Sequence, residues 1–256
     1  MNKKTIVITG STRGIGHGLA KEFLSKGHQV VINGRTEEAV SKALKIFSEY
    51  EDNVVGIAGD VTEESTHFSL LNLAFEKFGK LDFWINNAGV PQDNKLFIDL
   101  RPKDVKKISD INIYSLMLGS HIAANRFLEQ GYGKIFNMEG FGSNGRIMKK
   151  ITLYGTSKRA VNYFTKSLAN ELKKTPVQVC VLSPGMVRTE FLDGALVDQT
   201  SEEAKKFQKV YKVIAEDVDV VTKFLVKKML KSTKNYDRIE FLSGAKMMVI
   251  GFKMMF

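Results

Sequence analysis

The sequence predicts an α/β fold, a doubly wound parallel sheet with helices on both faces, forming one domain over residues 1–256. Three observations carry this. Apolar runs (TIVITG, QVVING, NVVGIAGD, LDFWINNAG, GKIFNME and VQVCVLSPG) alternate with helix-forming stretches, and strands that are apolar throughout are buried on both faces, as crossover helices on a parallel sheet require. The first run passes through a glycine-rich turn into an amphipathic stretch, a nucleotide-binding type of βα unit. With 256 residues, 43% hydrophobic content and 21 glycines, the chain can bury one large core, and α/β chains of this length commonly stay single-domain. No internal repeat or low-complexity tract divides it, and its connections should be right-handed crossovers.

The opening element, KKTIVITGSTRGIGHGLAKEFLSKG, reads as a strand from Thr5 to Thr9, a turn and an amphipathic helix. Gly10 permits the tight turn, Gly14 and Gly16 let backbone and ligand approach closely, and the helix offers free N–H groups to a pyrophosphate. The spacing is TGxxxGxG, not GxGxxG, and taken alone it also fits an ordinary strand-to-helix connection. In LYGTSK, Tyr154 and Lys158 stand four positions apart in a helix-forming run and leave one helical face about one turn apart. A free tyrosine titrates near ~10; a neighbouring ammonium would lower that value and let the pair exchange a proton with a carbonyl or an alcohol. The same spacing fits a solvated helix face. This helix is expected over Tyr154 to Lys173, with Val161, Phe164, Leu168 and Leu172 at three- and four-residue intervals suited to core packing or to a subunit interface.

Further landmarks join these: Asp60-Val61 after the third strand, NNAG from Asn86 to Gly89, INI around Asn112, and SPGMVRT from Ser183 to Thr189. In this order, with TGSTRGIG and YGTSK, they make the chain resemble the short-chain dehydrogenase/reductase family across roughly Lys3 to Thr189. The resemblance implies a Rossmann-type fold and a nicotinamide dinucleotide cradled by Gly10, Ser11, Thr12, Arg13, Gly14, Ile15 and Gly16. It further implies that Asp60 and Val61 border the adenine, that Asn87, Ala88 and Gly89 line the adenine-ribose side, and that Lys158 holds the nicotinamide ribose. By the same resemblance Pro184 and Gly185 would shape the closing turn, and the Val187 backbone and the Thr189 hydroxyl would hold the nicotinamide carboxamide and phosphates. Asn112 would anchor a water that links Lys158 to solvent. Tyr154 is the implied proton donor and acceptor.

One family position departs. A serine usually stands three residues beyond Asn137 as a hydrogen-bond donor to the substrate carbonyl; here that position is Gly140, preceded by Glu139. Ser143, within the glycine-flanked turn, could return a hydroxyl to the site, or it could be an ordinary turn residue with the carbonyl polarised by Tyr154 or by a backbone N–H. Glu139 is expected to face away, pair with a base or be held protonated, since a carboxylate beside a developing oxyanion would repel it. The stretches NMEGFGSNG, TLYGTSKRAV and LSPGMVRTEFL resemble the branch containing chlorophyll b reductases and their bacterial relatives. That branch implies reduction of a conjugated formyl group by NADPH on a large apolar tetrapyrrole.

Cofactor choice follows from charge. An acidic side chain ending the second strand would grip the adenosine ribose hydroxyls and repel a 2′-phosphate. QVVINGRTEE has none at that point, and Arg35 with Arg13 can converge on a phosphate, which predicts NADPH. Alternatively Arg35 is merely exposed and Arg13 packs on the adenine. Glu190 to Val213 is expected to set substrate choice, its apolar entry (Phe191, Leu192, Ala195, Leu196 and Val197) suiting a hydrophobic aldehyde or ketone or ordinary helix packing.

The net charge of +10 comes from lysine-rich helices without a compact arginine and aromatic cluster, which argues against nucleic acid. The apolar extension 245–256 is too short to span a bilayer; it could pack internally, at an interface or, with Lys246 and Lys253, on an anionic membrane. The start shows no apolar signal region, so a cytoplasmic location is expected. Cys180 reads as a core thiol, and His17, His28, His67 and His121 lack metal-ligand spacing. The resemblance implies a homodimer or homotetramer. Two functional readings stand: an NADPH-dependent carbonyl reductase, and a non-catalytic NADP(H)-binding sensor or scaffold favoured by the missing serine.

Overall fold

A computed structural model describes residues 2–190, 208 and 211–242. Strands β1 (Thr5–Ile8), β2 (Gln29–Gly34), β3 (Val54–Ala58), β4 (Phe83–Asn86), β5 (Gly133–Met138), β6 (Val177–Ser183) and β7 (Arg238–Glu240) form one sheet in the order β3-β2-β1-β4-β5-β6-β7. Every neighbouring pair is parallel. The α-helices among the described residues include α1 (Gly14–Ser25), α2 (Glu37–Ile46), α3 (Glu64–Phe78), α4 (Pro102–Ser109), α5 (Ser115–Gln130), α6 (Thr152–Glu171) and α7 (Val218–Lys231). The first strand stops at Ile8, short of the expected Thr9, and α6 begins and ends two residues earlier than the Tyr154 to Lys173 reading.

Alternating side chains explain why the apolar runs are unbroken. Ile6, Ile8, Val30, Ile32, Phe136 and Leu182 join the core that Leu19 and Phe23 of α1, Ala43 of α2 and Leu225 of α7 complete. Their neighbours Val7, Val31, Trp84, Ile135 and Val179 join a second core with Leu70 of α3, Phe127 of α5 and Ala169 of α6. Burying each such side chain contributes about 1.5–3 kcal/mol relative to exposure, so both layers hold the sheet. Of the α6 residues expected to pack, Val161 is fully buried and Leu168 and Leu172 lie against the second core. Cys180 is buried in β6, and burial pushes its thiol pKa up.

The strand order reverses between β1 and β4, and the loops leaving these two strands make the crevice at the switch point. They touch: a methyl group on Gly10 would stand 2.9 Å from the Ala88 Cα. Between α4 and α5 the chain makes one π-helical turn, Asp110–Tyr114, which carries Asn112 into the buried interior.

Candidate active site

The site has two halves, one on each side of the switch point. In the first, Gly10 and Gly14 adopt φ 60° and 58°, a left-handed conformation that side-chain-bearing residues rarely take. Gly16 is required by space: a methyl there would lie 2.5 Å from both Asn87 Nδ2 and the Gly10 carbonyl oxygen. Neighbouring polar side chains hold the loop. The Gly10 N–H donates to Asn33 Oδ1 at 3.1 Å, the Asn33 N–H donates to Ser11 Oγ at 2.9 Å, and Asn87 Nδ2 donates to the carbonyls of Thr9 and Gly10 at 3.0 and 2.9 Å. The Asn87 side chain therefore braces the glycine turn, and the Ala88 N–H donates to Thr9 Oγ1 at 3.1 Å. Ile15 packs on the core.

Arg13 occupies the N-cap of α1, and among the described residues no side-chain cap hydrogen bond is made at the start of this helix. Its first N–H groups are thus open to an anion. Glycine cradle and uncapped helix together fit a dinucleotide pyrophosphate. Thr12 lies against Gly34, where a methyl would stand 2.5 Å from Thr12 Cγ2, so the loop bearing Arg13 abuts the end of β2 before Arg35. Arg35 is exposed; Arg13 Nη1 forms an exposed ion pair with Glu190 Oε2 at 3.1 Å. Asp60 Oδ1 accepts from the Thr62 N–H and Oγ1 at 2.9 and 2.8 Å, and the buried Val61 engages His67 Nε2 through its carbonyl at 2.8 Å. Pro184 is buried, Gly185 has φ 74°, and Val187 bridges to Glu216 in parallel register. A methyl on Gly14 would stand 3.7 Å from Thr189 Cγ2, so this segment closes onto the glycine loop.

In the second half, Lys158 is buried and its Nζ donates to the Met138 carbonyl at 3.1 Å, standing 5.7 Å from the centre of the Tyr154 ring. Asn112 Nδ2 donates to the Val90 carbonyl at 3.0 Å and to Ser157 Oγ at 3.1 Å, while its Oδ1 accepts from the Val90 N–H at 2.8 Å. The π turn, the loop after β4 and α6 are thereby locked together. Gly89 lies between the two polar groups: a methyl there would be 3.4 Å from Asn112 Oδ1 and 3.7 Å from Lys158 Nζ. Tyr154, Lys158 and Asn112 are thus gathered, and Gly89, which the resemblance assigned to the adenine-ribose side, stands beside Asn112 and Lys158.

The electrostatics correct one expectation. The phenol of Tyr154 is pushed up by burial, not lowered by the neighbouring ammonium, because desolvation outweighs a lysine whose amine is engaged with Met138. Burial also pulls Lys158 down, to about 8, against the opposing pull of Glu139. Glu139 resolves as a base-paired residue. It is buried, accepts from Asn162 Nδ2 at 2.7 Å and pairs with Arg238 of β7, which also stands 3.6 Å from Glu240.

Where the family usually has a serine, the phenol fills the space above Gly140. A Cβ at Gly140 would stand 2.3 Å from Tyr154 Oη, so the phenol hydroxyl occupies the space a side chain would need. Ser143 is buried in the following turn; its N–H donates to the Gly140 carbonyl at 3.2 Å and its carbonyl accepts from Arg159 Nη1 at 2.9 Å. A methyl on Gly142 would meet the Gly155 Cα at 2.6 Å, which fixes this turn against the first turn of α6.

Sequence reasoning missed two features. Gln92 accepts from the N–H groups of Leu153 and Tyr154 at the start of α6. Beneath the site, Trp84, Asn86, Ser120, Asn137 and Thr165 form a buried hydrogen-bonded chain across β4, β5, α5 and α6. Asn86, which ends β4, and Asn137, one residue before the end of β5, were its sequence signal, as polar residues within apolar runs. The apolar entry Phe191, Leu192, Ala195, Leu196 and Val197, and the extension 245–256, lie outside the described residues.

Residues 4–200 match the short chain dehydrogenase family. Chlorophyll(ide) b reductase NOL, chloroplastic, of Arabidopsis thaliana is 38% identical over 252 residues, covering 94% of this chain and 70% of that protein. Probable chlorophyll(ide) b reductase NYC1, chloroplastic, of Oryza sativa subsp. japonica is 32% identical over 247 residues, covering 88% of this chain and 47% of that protein, so the chain spans about half its length. The solved structure of ElxO with NADP bound is 26% identical with a TM-score of 0.80, covering 96% of this chain and all of that one. Fold, landmark order and these likenesses agree, and the chain belongs to the short-chain dehydrogenase family, whose oxidoreductases act on carbonyl and alcohol groups.

Proposed function

We propose that the protein is an NADPH-dependent reductase of a hydrophobic aldehyde or ketone, with Tyr154 donating the proton. The observation that carries this reading is the placement of Tyr154 Oη against Gly140, with Lys158 and Asn112 converging beside the glycine cradle. The dinucleotide, when bound, supplies the hydride. Burial keeps Tyr154 protonated at neutral pH, which suits it to give its proton to a carbonyl oxygen. Lys158 is charged below about 8 and buried nearby, so it can stabilise the phenolate left behind. Asn112, held by Val90 and Ser157, keeps the π turn in place beside Lys158. Position 140 carries no hydroxyl, so carbonyl polarisation falls to Tyr154 itself, with Ser143 as the nearby alternative that Ser143→Ala tests: unchanged turnover removes it from the mechanism.

NADPH is favoured by an exposed Arg35 and by the absence of an acidic side chain at the end of β2, with Arg13 on the abutting loop. ElxO, a relative of the same fold, is solved with NADP bound. Arg35→Asp is expected to raise the Michaelis constant for NADPH far more than for NADH; equal effects would reject the assignment. The likeness to chlorophyll(ide) b reductase NOL favours a large apolar carbonyl compound. Exposed Tyr114, Leu128 and Tyr163 on the π turn, α5 and α6 favour pairing of these helices in a homodimer or homotetramer. The deciding experiment is anaerobic incubation of the protein and NADPH with hydrophobic aldehydes, quinones and ketones, following the absorbance of the reduced nicotinamide. Oxidation with no member of the panel would overturn the reductase reading in favour of an NADP(H)-binding sensor.

A further inference from the structure

Gln92 lies in the loop after β4, is 2% exposed, and uses every hydrogen-bonding valence of its carboxamide. Oε1 accepts from the Leu153 and Tyr154 N–H groups at 2.8 and 3.1 Å. Nε2 donates to the carbonyls of Lys95 and Lys150 at 3.0 and 2.8 Å. A primary carboxamide has two N–H donors and two lone pairs, so nothing is left over.

These four bonds tie the loop after β4 to the start of α6 and to the stretch leading into it, in addition to the Asn112 link. The first N–H groups of a helix lack partners within the helix, and the N-cap of α6, Ile151, supplies no side-chain acceptor. Gln92 supplies it from another loop. Lys150 stands just before the N-cap of this helix with φ 65°, a left-handed conformation costly for a non-glycine residue. Its carbonyl is one of the two that Nε2 holds. Both loops so held present apolar side chains to solvent: Leu96, Phe97 and Ile98 follow Lys95, while Ile147 and Met148 precede Lys150.

We propose that Gln92 is a positioning residue for the proton transfer, its Oε1 setting the first turn of α6 and hence Tyr154, and its Nε2 tying that turn to the two loops that expose Leu96, Phe97, Ile98, Ile147 and Met148, which would receive an apolar substrate. This rests on the reductase reading above. A substrate seated on those loops is then coupled through one carboxamide to the phenol that protonates it. Displacement of a reacting group by about 1 Å can lower a rate about a hundredfold, so the Oε1 half bears on turnover and the Nε2 half on substrate affinity.

Two substitutions separate the halves. Gln92→Met keeps the length and removes all four bonds. It is expected to lower kcat about tenfold or more while leaving NADPH affinity, read by fluorescence titration, within about twofold. Amide hydrogen exchange over residues 152–156 should accelerate about tenfold or more. Gln92→Glu keeps an acceptor at the start of α6, where negative charge also suits the helix dipole, but has no N–H for the Lys95 and Lys150 carbonyls. It should hold kcat within about threefold and raise the Michaelis constant of the carbonyl substrate.

Equal kcat loss in both variants, or wild-type kcat in Gln92→Met, overturns the proposal. So does a Gln92→Met protein that loses NADPH affinity in step with turnover, since that marks general unfolding. The exchange measurement needs no turnover. Wild-type exchange in Gln92→Met overturns the link even where the reductase reading stands. An inactive wild-type protein overturns the reductase reading, and exchange then decides whether Gln92 holds α6.

Discussion

The two halves of the site use glycine differently. At Gly16 the space is closed by backbone and by an asparagine braced on two carbonyls, a methyl meeting the Gly10 carbonyl oxygen and Asn87 Nδ2 at 2.5 Å each. At Gly140 the space is closed by Tyr154 Oη at 2.3 Å, the far end of a side chain. The first obstruction cannot give without moving the loops after β1 and β4 apart, whereas the second gives when the phenol turns away. Small residues in the cradle therefore protect architecture and binding; the small residue beside Tyr154 protects only the placement of a proton.

The strongest way to break the comparison is Tyr154→Phe. It removes the hydroxyl, leaves the cradle untouched and should cost about 10²–10⁴ in kcat, with NADPH still bound at near wild-type affinity. Loss of NADPH binding in this variant would show that the halves are not separable. Gly140→Ser restores the family's usual residue and is expected to lower, not raise, activity, by about tenfold or more, because the new Cβ displaces the phenol from its present position. A faster Gly140→Ser enzyme would show that the phenol can be accommodated elsewhere without loss. Gly16→Ala sharpens the contrast from the other side. It should destabilise the fold by about 1–3 kcal/mol in urea unfolding and weaken NADPH, with turnover at saturating cofactor the least affected quantity.

These differences explain what could be read from the sequence. Gly10, Gly14 and Gly16 are visible because left-handed turns and close approaches demand that residue type at fixed spacing. Tyr154 and Lys158 are visible because helical periodicity places them on one face. The direction of the Tyr154 shift was not visible, since it depends on how far tertiary packing removes the phenol from water. Glu139 could be read only as needing a partner; that partner, Arg238, lies 99 positions away on β7. Gln92 sits just past the NNAG run, but nothing in VPQD reveals that its amide caps a helix about sixty residues later. Long-range satisfaction of buried polar groups is a property of the folded chain, and local pattern carries little of it.

The same buried pair leaves a signature in stability that requires no substrate. Lys158 titrates at about 8 in the folded protein against 10.5 when unfolded, so between these values the unfolded chain holds the extra proton. Stability must then rise with pH through that window. Tyr154 acts oppositely and only later: above 10 the unfolded phenol ionises while the buried one resists, and stability falls. From pH 8 to 9.5 Lys158 therefore acts with little opposition from Tyr154, and its rise should amount to about 1–2 kcal/mol. Urea midpoints should show that rise in wild type and in Tyr154→Phe, and a flatter profile in Lys158→Met. Glu139→Gln removes the carboxylate that holds the amine up, so the rise should begin at lower pH. An identical rise in Lys158→Met would mean that this lysine is solvated, and with that the account of a desolvated proton donor would fail.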